Sequence, residues 1–324
     1  MNGDVRALAV APDGSVYAGG EFTAAGGTAA RNVARWTGSA WEPLGAGMDG
    51  AVEALAVGSD GSVYAGGTFT TAGGAASRIA RWTGSAWTPL GAGVNDAVEA
   101  LAVAPDGSVY AGGYFETAGG AVASGVARRT GATWEPLGSG VNGTVSALAV
   151  APDGAVYAGG LFSTFGSAAG RNVARWTGSA WTPLGSGVNN VVRALALDGE
   201  GDVLLGGDFR TAGSVYSPFV TLYDAPALVA SEGGAAEADA LGLGVSPNPV
   251  SSGGTIRVTL PEAGPIRVTL LDVRGREVAV LADGDRPAGT HDVALTASRL
   301  AAGLYVVRVE ASGTSRSTRL VVAR

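Results

Sequence analysis

The sequence predicts an all-β protein: a β-propeller of about five blades with 47-residue repeats, followed by a small Ig-like β-sandwich. Three observations predict this fold class. Equivalent residues recur in steps of 47, 46, 47 and 47 residues, at Met1, Met48, Val94, Val141 and Val188. Each repeat contains short apolar runs separated by turn residues, and the 54 glycines follow no G-X-Y period. A spacing of this size is typical of a propeller, a solenoid or another array.

The repeats, numbered 1 to 5, begin near residues 4, 51, 97, 144 and 191. Repeat 4 divides into VSALAV, AVYAGGLF, VARWT and AWTPL, which we interpret as the strands of an antiparallel meander. Pro152 and Gly154 favour a tight turn between the first two runs. Because the runs are apolar on both faces, each sheet needs a cover on both sides, which radially stacked blades provide. A linear stack of β units stays open as an alternative.

Repeat 5 keeps three runs and ends in FVTLYD, with Tyr223 in the place of a Trp; ALVAS at 227–231 is a candidate for its fourth strand. Met1 lies three residues before the first strand, so the chain begins inside an interblade loop. Either a compact five-bladed ring starts there, or an internal Val codon has been read as a start and earlier blades and a leader are lost. The sequence shows no signal peptide and no transmembrane run, and we expect the truncated alternative.

Composition excludes several kinds of function. A net charge of -7 opposes binding to nucleic acid or to an anionic membrane by repulsion. The chain has no cysteine, which excludes disulfides and thiolate chemistry, and its single histidine excludes a multi-His metal site. The sequence therefore predicts no cofactor and no metal.

The composition changes after Asp224 to a small-residue, acidic segment that is typical of a linker. We predict a propeller at 1–226, a linker at 227–244 and a sandwich at 245–324. The last segment contains the strand-like runs TIRVTL, IRVTLLD, EVAVLAD, THDVALT, LYVVRVEA and TRLVVAR.

Residues 245–324 also carry specific motifs: Pro247-Asn248-Pro249, Leu271-Asp272-x-x-Gly275-Arg276, Ala288-Gly289-x-His291, Leu300-x-x-Gly303-x-Tyr305, and a basic residue at the end of the last strand. With these motifs the segment resembles the C-terminal sorting domain of type IX secretion cargo. The resemblance implies export across both membranes of a Bacteroidetes-like cell. It also implies contact with the type IX machinery, removal of the domain by a sortase-type peptidase, and release or surface attachment. The repeat is similar to repeats of bacterial surface proteins and to kelch-like propellers, and this likeness implies a fold rather than an activity.

Three motifs that suggest chemistry have simpler interpretations. GAGMDG (45–50) fits G-x-G-x-x-G but precedes a strand rather than a helix, so we interpret it as a turn. One Asp recurs in a turn of each of the first four repeats, where its side chain can cap backbone amides: Asp13, Asp60, Asp106 and Asp153. DGEGD (198–202) is an incomplete Ca²⁺ motif. We assign His291 a structural role because it lies on a sorting-domain motif.

Tryptophan occupies two positions in a repeat. The first holds Trp36, Trp82 and Trp176, with Arg129 in repeat 3, and the second holds Trp41, Trp87, Trp134 and Trp181. Since a charge in a core is costly, we expect the first position to be partly exposed and the second to be fully buried.

Strand parity predicts the ligand-binding edge. In a meander the Pro-Asp-Gly and Thr-Gly-Ser-Ala turns share one edge, here the first edge, while the longer loops and interblade links share the second edge. Loops of this kind carry most binding sites. Two sets of residues there are candidates: Asn2, Asp49, Asn95, Asn142 and Asn189 as a polar ring, and Glu21, Tyr114 and Asp208 among the varied residues after the double glycine. The alternative for the polar ring is a set of Asx turns.

We therefore expect an exported, cell-surface or secreted propeller that binds a glycan or a protein, and no enzymatic activity. Two alternatives stay open. A propeller hydrolase or lyase would need an acid/base pair in one pocket, and a purely structural surface component would need no ligand.

Overall fold

The structure is a computed structural model that describes residues 1–166, 168–198, 202–213, 215–223, 241–272, 276–311 and 314–322. The chain divides into two compact parts, Met1–Phe209 and Arg210–Arg324. In the described ranges the regular structure is strand, apart from one 3₁₀ turn at Ala297–Arg299.

The first compact part consists of successive antiparallel sheets, one for each repeat. Repeat 1 contains β1 (Asp4–Val10), β2 (Val16–Glu21), β3 (Ala24–Ala25), β4 (Thr28–Ala29), β5 (Val33–Trp36) and β6 (Trp41–Pro43). Its four-stranded sheet has the order β1-β2-β5-β6, and β3 and β4 form a small hairpin in the loop between β2 and β5. This order is the meander that the four apolar runs predict.

Repeats 2 to 4 have the same arrangement. Repeat 2 contains β7 (Val52–Val57), β8 (Val63–Gly67), β9 (Ile79–Trp82) and β10 (Trp87–Pro89). Repeat 3 contains β11 (Val98–Val103), β12 (Val109–Gly113), β13 (Thr117–Ala118), β14 (Ala121–Val122), β15 (Val126–Thr130) and β16 (Thr133–Pro136). Repeat 4 contains β17 (Thr144–Val150), β18 (Val156–Leu161), β19 (Thr164–Phe165), β20 (Ala168–Ala169), β21 (Val173–Trp176) and β22 (Trp181–Pro183). Repeat 5 begins with the paired strands β23 (Val192–Leu197) and β24 (Val203–Gly207).

Neighbouring repeats share their hydrophobic cores. The first strands of successive repeats, β1, β7, β11, β17 and β23, contact one another in that order. One buried cluster combines Tyr17 and Val33 of repeat 1 with Val52 and Phe69 of repeat 2, and similar clusters join repeats 2 and 3 and repeats 3 and 4. The sheets of repeats 2 and 3 therefore share buried apolar clusters with a neighbour on each side, as the sequence predicts.

The double glycine of each second strand allows this packing. A Cβ on Gly66 would lie 2.5 Å from Cγ1 of Val98 in the next repeat, so the valine occupies the space that a side chain would need. Val98 is fully buried. A Cβ on the adjacent Gly67 would collide with the carbonyl oxygen of Ala51 in the paired strand. The first glycine thus accommodates the next repeat, and the second permits close approach within its own sheet.

The free face of β1 is uncovered. Val5, Leu8 and Val10 are 43%, 65% and 67% exposed. The residues that correspond to Val5 in the later repeats are fully buried: Val52, Val98, Val145 and Val192. The difference follows from the packing rule, since each later first strand lies on the second strand of the preceding repeat.

The second tryptophan position links consecutive repeats. Trp87 Nε1 donates a hydrogen bond of 2.9 Å to the Leu44 carbonyl of the preceding repeat, and Trp134 and Trp181 make the equivalent bonds. These three side chains are buried, as predicted, and the first-position tryptophans are half-buried. The prediction is wrong for Trp41, which is half-buried. Trp41 belongs to repeat 1, so no earlier repeat of the described chain covers it.

The second compact part begins with β25 (Thr211–Ala212), β26 (Val215–Tyr216) and β27 (Val220–Tyr223). The predicted strand at 227–231 lies outside the described residues. Seven strands follow: β28 (Gly242–Ser246), β29 (Gly253–Leu260), β30 (Gly264–Asp272), β31 (Glu277–Arg286), β32 (Gly289–Thr296), β33 (Gly303–Ala311) and β34 (Thr314–Val322). They form the sheets β28-β29-β32 and β31-β30-β33-β34.

One hydrophobic core joins these two sheets. Ile256 and Val258 of the three-stranded sheet and Val268, Leu270 and Val307 of the four-stranded sheet belong to the same buried cluster. Five of the six predicted runs lie on strands, and the described residues of the sixth, 318–322, lie on β34. The structure adds β28, which begins inside the predicted linker, because Leu241 and Leu243 pack on this core.

Candidate functional site

The sheet order places the two kinds of connection on opposite edges. Since each repeat is a meander, the Pro-Asp-Gly and Thr-Gly-Ser-Ala turns lie together on the first edge. The longer loops that contain β3–β4, β13–β14 and β19–β20, and the links between repeats, lie on the second edge. The predicted placement of the turns on one edge and of the longer loops on the other is confirmed.

The predicted polar ring joins two loops of the second edge within each repeat. Asn95 Oδ1 accepts hydrogen bonds from the Glu116 and Thr117 amides at 3.0 and 2.9 Å. Asn2, Asp49 and Asn142 make equivalent pairs of bonds. Asn189 is also an exposed residue of the link that precedes repeat 5. The partners lie 21 and 22 residues along the chain, so these are not Asx turns. Each side chain holds the link between repeats against the loop after the second strand.

Asp49 has a strongly perturbed acidity. Partial burial raises the pKa of its carboxyl, but hydrogen bonds from the Thr70 hydroxyl and from the Thr71 and Thr70 amides outweigh this and lower the pKa to about 2. The carboxylate is therefore charged at neutral pH and is held by three donors.

Three of the predicted site residues meet in one groove. A cavity of about 530 Å³, the second-edge groove, lies between repeats 3 and 4 and is lined by Asn95, Asp96, Tyr114, Phe115, Glu116, Ser124, Gly125, Val141, Asn142 and Gly143. Tyr114 is 64% exposed, whereas the neighbouring Phe115 is buried. The groove thus presents one aromatic ring among amide and carboxylate groups.

Glu21 and Asp208 lie outside this groove and form ion pairs. The Asp208 carboxylate accepts a bond of 2.6 Å from Arg193, and this hydrogen bond lowers the pKa of Asp208. Glu21 pairs with Arg6 at 2.8 Å, and Arg6 also bonds Glu53 of the next repeat. Of the three candidate residues after the double glycine, Tyr114 therefore lines the groove, whereas Glu21 and Asp208 form ion pairs with arginines of first strands.

Sequence reasoning missed a third set of polar residues on the first strands. Each first strand contains a β-bulge next to its first valine. The residues in the bulges are Arg6, Glu53, Glu99, Ser146 and Arg193. Ser146 Oγ donates to Glu99 of the preceding repeat at 2.8 Å. The available signal was a polar residue directly after the first valine of each apolar run.

The Asp residues of the first edge have the role that their turns predict. Asp13 Oδ1 accepts from the Ser15 amide at 2.9 Å, and its other oxygen pairs with Arg35 at 3.0 Å. The guanidinium of Arg35 lies over the Tyr17 ring, 6.0 Å from its centroid. Asp60, Asp106 and Asp153 make equivalent turns and ion pairs. Structural hydrogen bonds thus occupy these carboxylates.

The remaining chemical motifs show no metal or nucleotide site in the described residues. GAGMDG precedes β7, as its interpretation as a turn requires. In DGEGD, the Asp202 amide donates to Asp198 Oδ1 at 2.9 Å, and residues 199–201 lie outside the described ranges. Where the structure describes the chain, no cluster of three or more metal-binding side chains occurs.

The motif residues of the last segment stabilise its own fold. Asn248 clamps the last strand, since its amide donates to the Arg319 carbonyl at 3.0 Å and its Oδ1 accepts from the Val321 amide at 2.8 Å. Tyr305 donates to the Ala301 carbonyl at 3.0 Å. His291 Nε2 lies 2.7 Å from the Pro287 carbonyl oxygen, which supports its structural role.

Two family models match separate parts of the chain. Residues 244–323 match the family described as a secretion system C-terminal sorting domain. Residues 11–36, 58–83 and 104–128 match a β-propeller domain of unknown function, DUF5122. The protein is a β-propeller repeat array joined to a type IX sorting domain. The sorting domain implies handling by the type IX secretion system and a secreted or cell-surface location.

Solved structures show only distant similarity to this chain. The extracellular domain of a putative one-component system from B. thetaiotaomicron is 15% identical, with a TM-score of 0.45, over 69% of this chain and 26% of that one. A second such domain, of a putative hybrid two-component system from the same organism, is 12% identical with a TM-score of 0.38 and covers 99% and 50% of the two chains. A family 43 arabinoxylan arabinofuranohydrolase from Bacillus subtilis is 13% identical, with a TM-score of 0.30, over 100% and 96%.

The chain matches a quarter to a half of the length of the first two structures. No curated protein matches the chain. In the described part of the chain, no helix is long and apolar enough to cross a membrane.

Proposed function

We propose that the repeats form the binding or adhesion module of an exported protein and that the second-edge groove holds its glycan or protein ligand. The observation that carries this proposal is the exposed Tyr114 ring beside Asn95 and Asn142 in a cavity of about 530 Å³. A volume of this size is ordinary for ligand sites. An aromatic ring offers a flat apolar surface, and the surrounding amides and carboxylates offer hydrogen-bond partners. This combination suits a sugar, which has an apolar ring face and hydroxyls at its edge.

The sorting domain serves as the export address in this proposal. After export, a sortase-type peptidase removes the domain, and the repeats are released or attached to the cell surface. Repeats of the same architecture then offer several weak contacts, and simultaneous engagement of these contacts raises the overall affinity.

Binding without turnover is the expected activity. General acid/base catalysis needs a pair of groups that can exchange protons within hydrogen-bond reach of the substrate. Two carboxylates line the groove, Asp96 and Glu116, and Asp96 Oδ1 accepts a hydrogen bond of 2.8 Å from the Ala97 amide. This contact gives Asp96 a structural role, which favours a binding site over a hydrolase or lyase site.

Titration of the full chain with neutral β-linked oligosaccharides, with Tyr114→Ala beside the wild type, tests this function. We expect loss of the aromatic surface to weaken binding by about fivefold or more, as for an aromatic residue at the centre of an interface. Leu161→Ala is the matched control, because Leu161 occupies the same position in repeat 4, is 55% exposed and does not line the groove. Equal affinity of Tyr114→Ala and wild type contradicts the assignment of the groove. Release of shorter sugars during the titration would instead favour the alternative function, a hydrolase or lyase.

A further inference from the structure

A second cavity lies on the first edge, between repeats 2 and 3, and the function proposed above does not use it. This first-edge groove has a volume of about 370 Å³. Its polar and charged lining consists of Ser59, Asp60, Tyr64, Arg81, Asp106 and Arg129.

Two departures from the repeat pattern meet in this groove. Repeats 1, 3 and 4 begin the first turn with Ala-Pro, whereas repeat 2 has Gly58-Ser59. Repeats 1, 2 and 4 have tryptophan at the end of the third strand, whereas repeat 3 has Arg129. Gly58, Ser59 and Arg129 all line the groove, although they belong to different repeats. Both changes replace apolar bulk with small or polar groups at the same junction.

Packing at the neighbouring junctions shows what Arg129 replaces. A Cβ on Gly45 would lie 3.1 Å from the ring of Trp82, and a Cβ on Gly138 would lie 3.1 Å from the ring of Trp176. These rings therefore cover the link glycine of the preceding repeat. The corresponding Gly91 meets only the Ala132 carbonyl oxygen, at 3.6 Å. The exchange of Trp for Arg129 has thus removed packed bulk between repeats 2 and 3.

Arg129 is a cation without a carboxylate partner. Asp60 pairs with Arg81 at 3.1 Å and Asp106 with Arg128 at 3.0 Å, whereas Arg129 has no acidic partner among the described residues. Its Nε is buried and has no hydrogen-bond partner in the described part of the chain. Burial lowers the pKa of Arg129; Tyr64 acts in the opposite direction, and the positive charge of Arg81 adds to the lowering. A half-buried, unpaired guanidinium is energetically costly, and such groups concentrate at functional sites.

We infer that the first-edge groove binds the carboxylate of an acidic saccharide through Arg129. A guanidinium presents a planar fork of donors that matches a carboxylate. Structural hydrogen bonds already occupy Asp60 and Asp106, but the Ser59 hydroxyl of the same groove can donate a hydrogen bond to a sugar hydroxyl or accept one from it. A uronic acid unit carries both the hydroxyls and the carboxylate. This inference rests on the proposed binding function of the repeats but uses the opposite edge and different residues.

Calorimetric titration of the full chain with trigalacturonate tests the site, beside a neutral galactose trisaccharide. Arg129→Trp restores the residue of the other repeats, and Arg129→Gln removes the charge with little change in size. We expect each variant to weaken trigalacturonate binding at least about tenfold, the scale of a lost hydrogen bond to a charged group. Arg129→Lys should retain part of the affinity. Tyr114→Ala should leave it unchanged.

Arg78→Gln is the control for non-specific electrostatic attraction, because it removes one half-buried positive charge of repeat 2 on the second edge. Equal weakening by Arg78→Gln and Arg129→Gln overturns the inference, as does wild-type affinity in the Arg129 variants. No trigalacturonate binding, together with Tyr114-dependent binding of neutral sugars, overturns this inference and leaves the proposed function intact. Arg129-dependent binding of trigalacturonate without neutral binding supports the inference and contradicts the role of Tyr114.

Discussion

At the scale of single residues, the hydrogen bonds between Asp49 and the loop after the second strand of repeat 2 make the stability of the fold depend on pH. The carboxylate accepts bonds from the Thr70 hydroxyl and from the Thr70 and Thr71 amides, and its pKa in the folded chain is about 2. An unperturbed aspartate has a pKa of about 3.9. The stabilisation is therefore fully present above the unfolded value and is lost as the pH falls through the folded value.

Asp49→Asn is the test of this coupling. Repeats 3 and 4 carry Asn95 and Asn142 at the same position, and both accept the two equivalent amide bonds. We expect the variant to keep the fold at neutral pH and to lose less stability than the wild type between about pH 4 and pH 2. Thermal unfolding at stepped pH measures the difference. Parallel pH profiles for the two proteins would contradict the assigned pKa.

The position of Asp49 was visible in the sequence, but its role was not. Periodicity brings the five polar residues of the ring into register, which identifies them as a set. Their partners lie 21 and 22 residues away in the loop after the second strand. A contact of this range depends on how that loop folds back, which local sequence does not encode. The Asx-turn alternative was a local interpretation, and it is wrong for Asn2, Asp49, Asn95 and Asn142 for this reason.

At the scale of elements, the double glycine sets how closely repeats pack. A side chain on Gly66 would overlap Val98 of the next repeat. We expect Gly66→Ala to lower the free energy of unfolding by about 1–3 kcal/mol, because overpacking moves a buried side chain from its rotamer or shifts the strand. Chemical denaturation measures this loss.

Gly74→Ala is the matched control in the same repeat. A Cβ on Gly74 meets no atom within 4 Å, so the substitution should change the free energy of unfolding by no more than about 0.5 kcal/mol. A Gly66→Ala protein that is as stable as Gly74→Ala would show that the repeats do not pack through this contact.

The strands were predictable from the sequence, whereas the β-bulges and the two grooves were not. The apolar runs of the repeats lie on the strands of the meanders because alternating turn and apolar segments leave few other arrangements. The bulge beside Arg6 is a register shift of one residue, which leaves the apolar pattern almost unchanged. Similarly, the first-edge groove is lined by two residues that depart from the repeat pattern, Ser59 of repeat 2 and Arg129 of repeat 3. The sequence of one repeat does not show that the two residues lie at the same junction.

At the scale of the whole molecule, the chain combines a module for binding with an address for export. The sorting domain has its own hydrophobic core, and Asn248 fastens its last strand to its first residues. The repeats bury their apolar residues among themselves. Because each part satisfies its own core, removal of the sorting domain should leave the repeats folded.

This organisation predicts the fate of the chain in a host with type IX secretion. When the full chain is expressed, its exported product should be recovered from the medium or the cell surface. The intact mass of this product should show the loss of the residues from about 241 onwards, where the described part of the last segment begins. A variant that lacks 241–324 should keep its repeats folded but stay inside the cell, because it lacks the sorting domain that the secretion system recognises. The matched control is a repeat variant, Tyr114→Ala, which should be exported and processed like the wild type. Export of the shortened chain, or recovery of the wild type with residues 241–324 still attached only inside the cell, would contradict the division of roles.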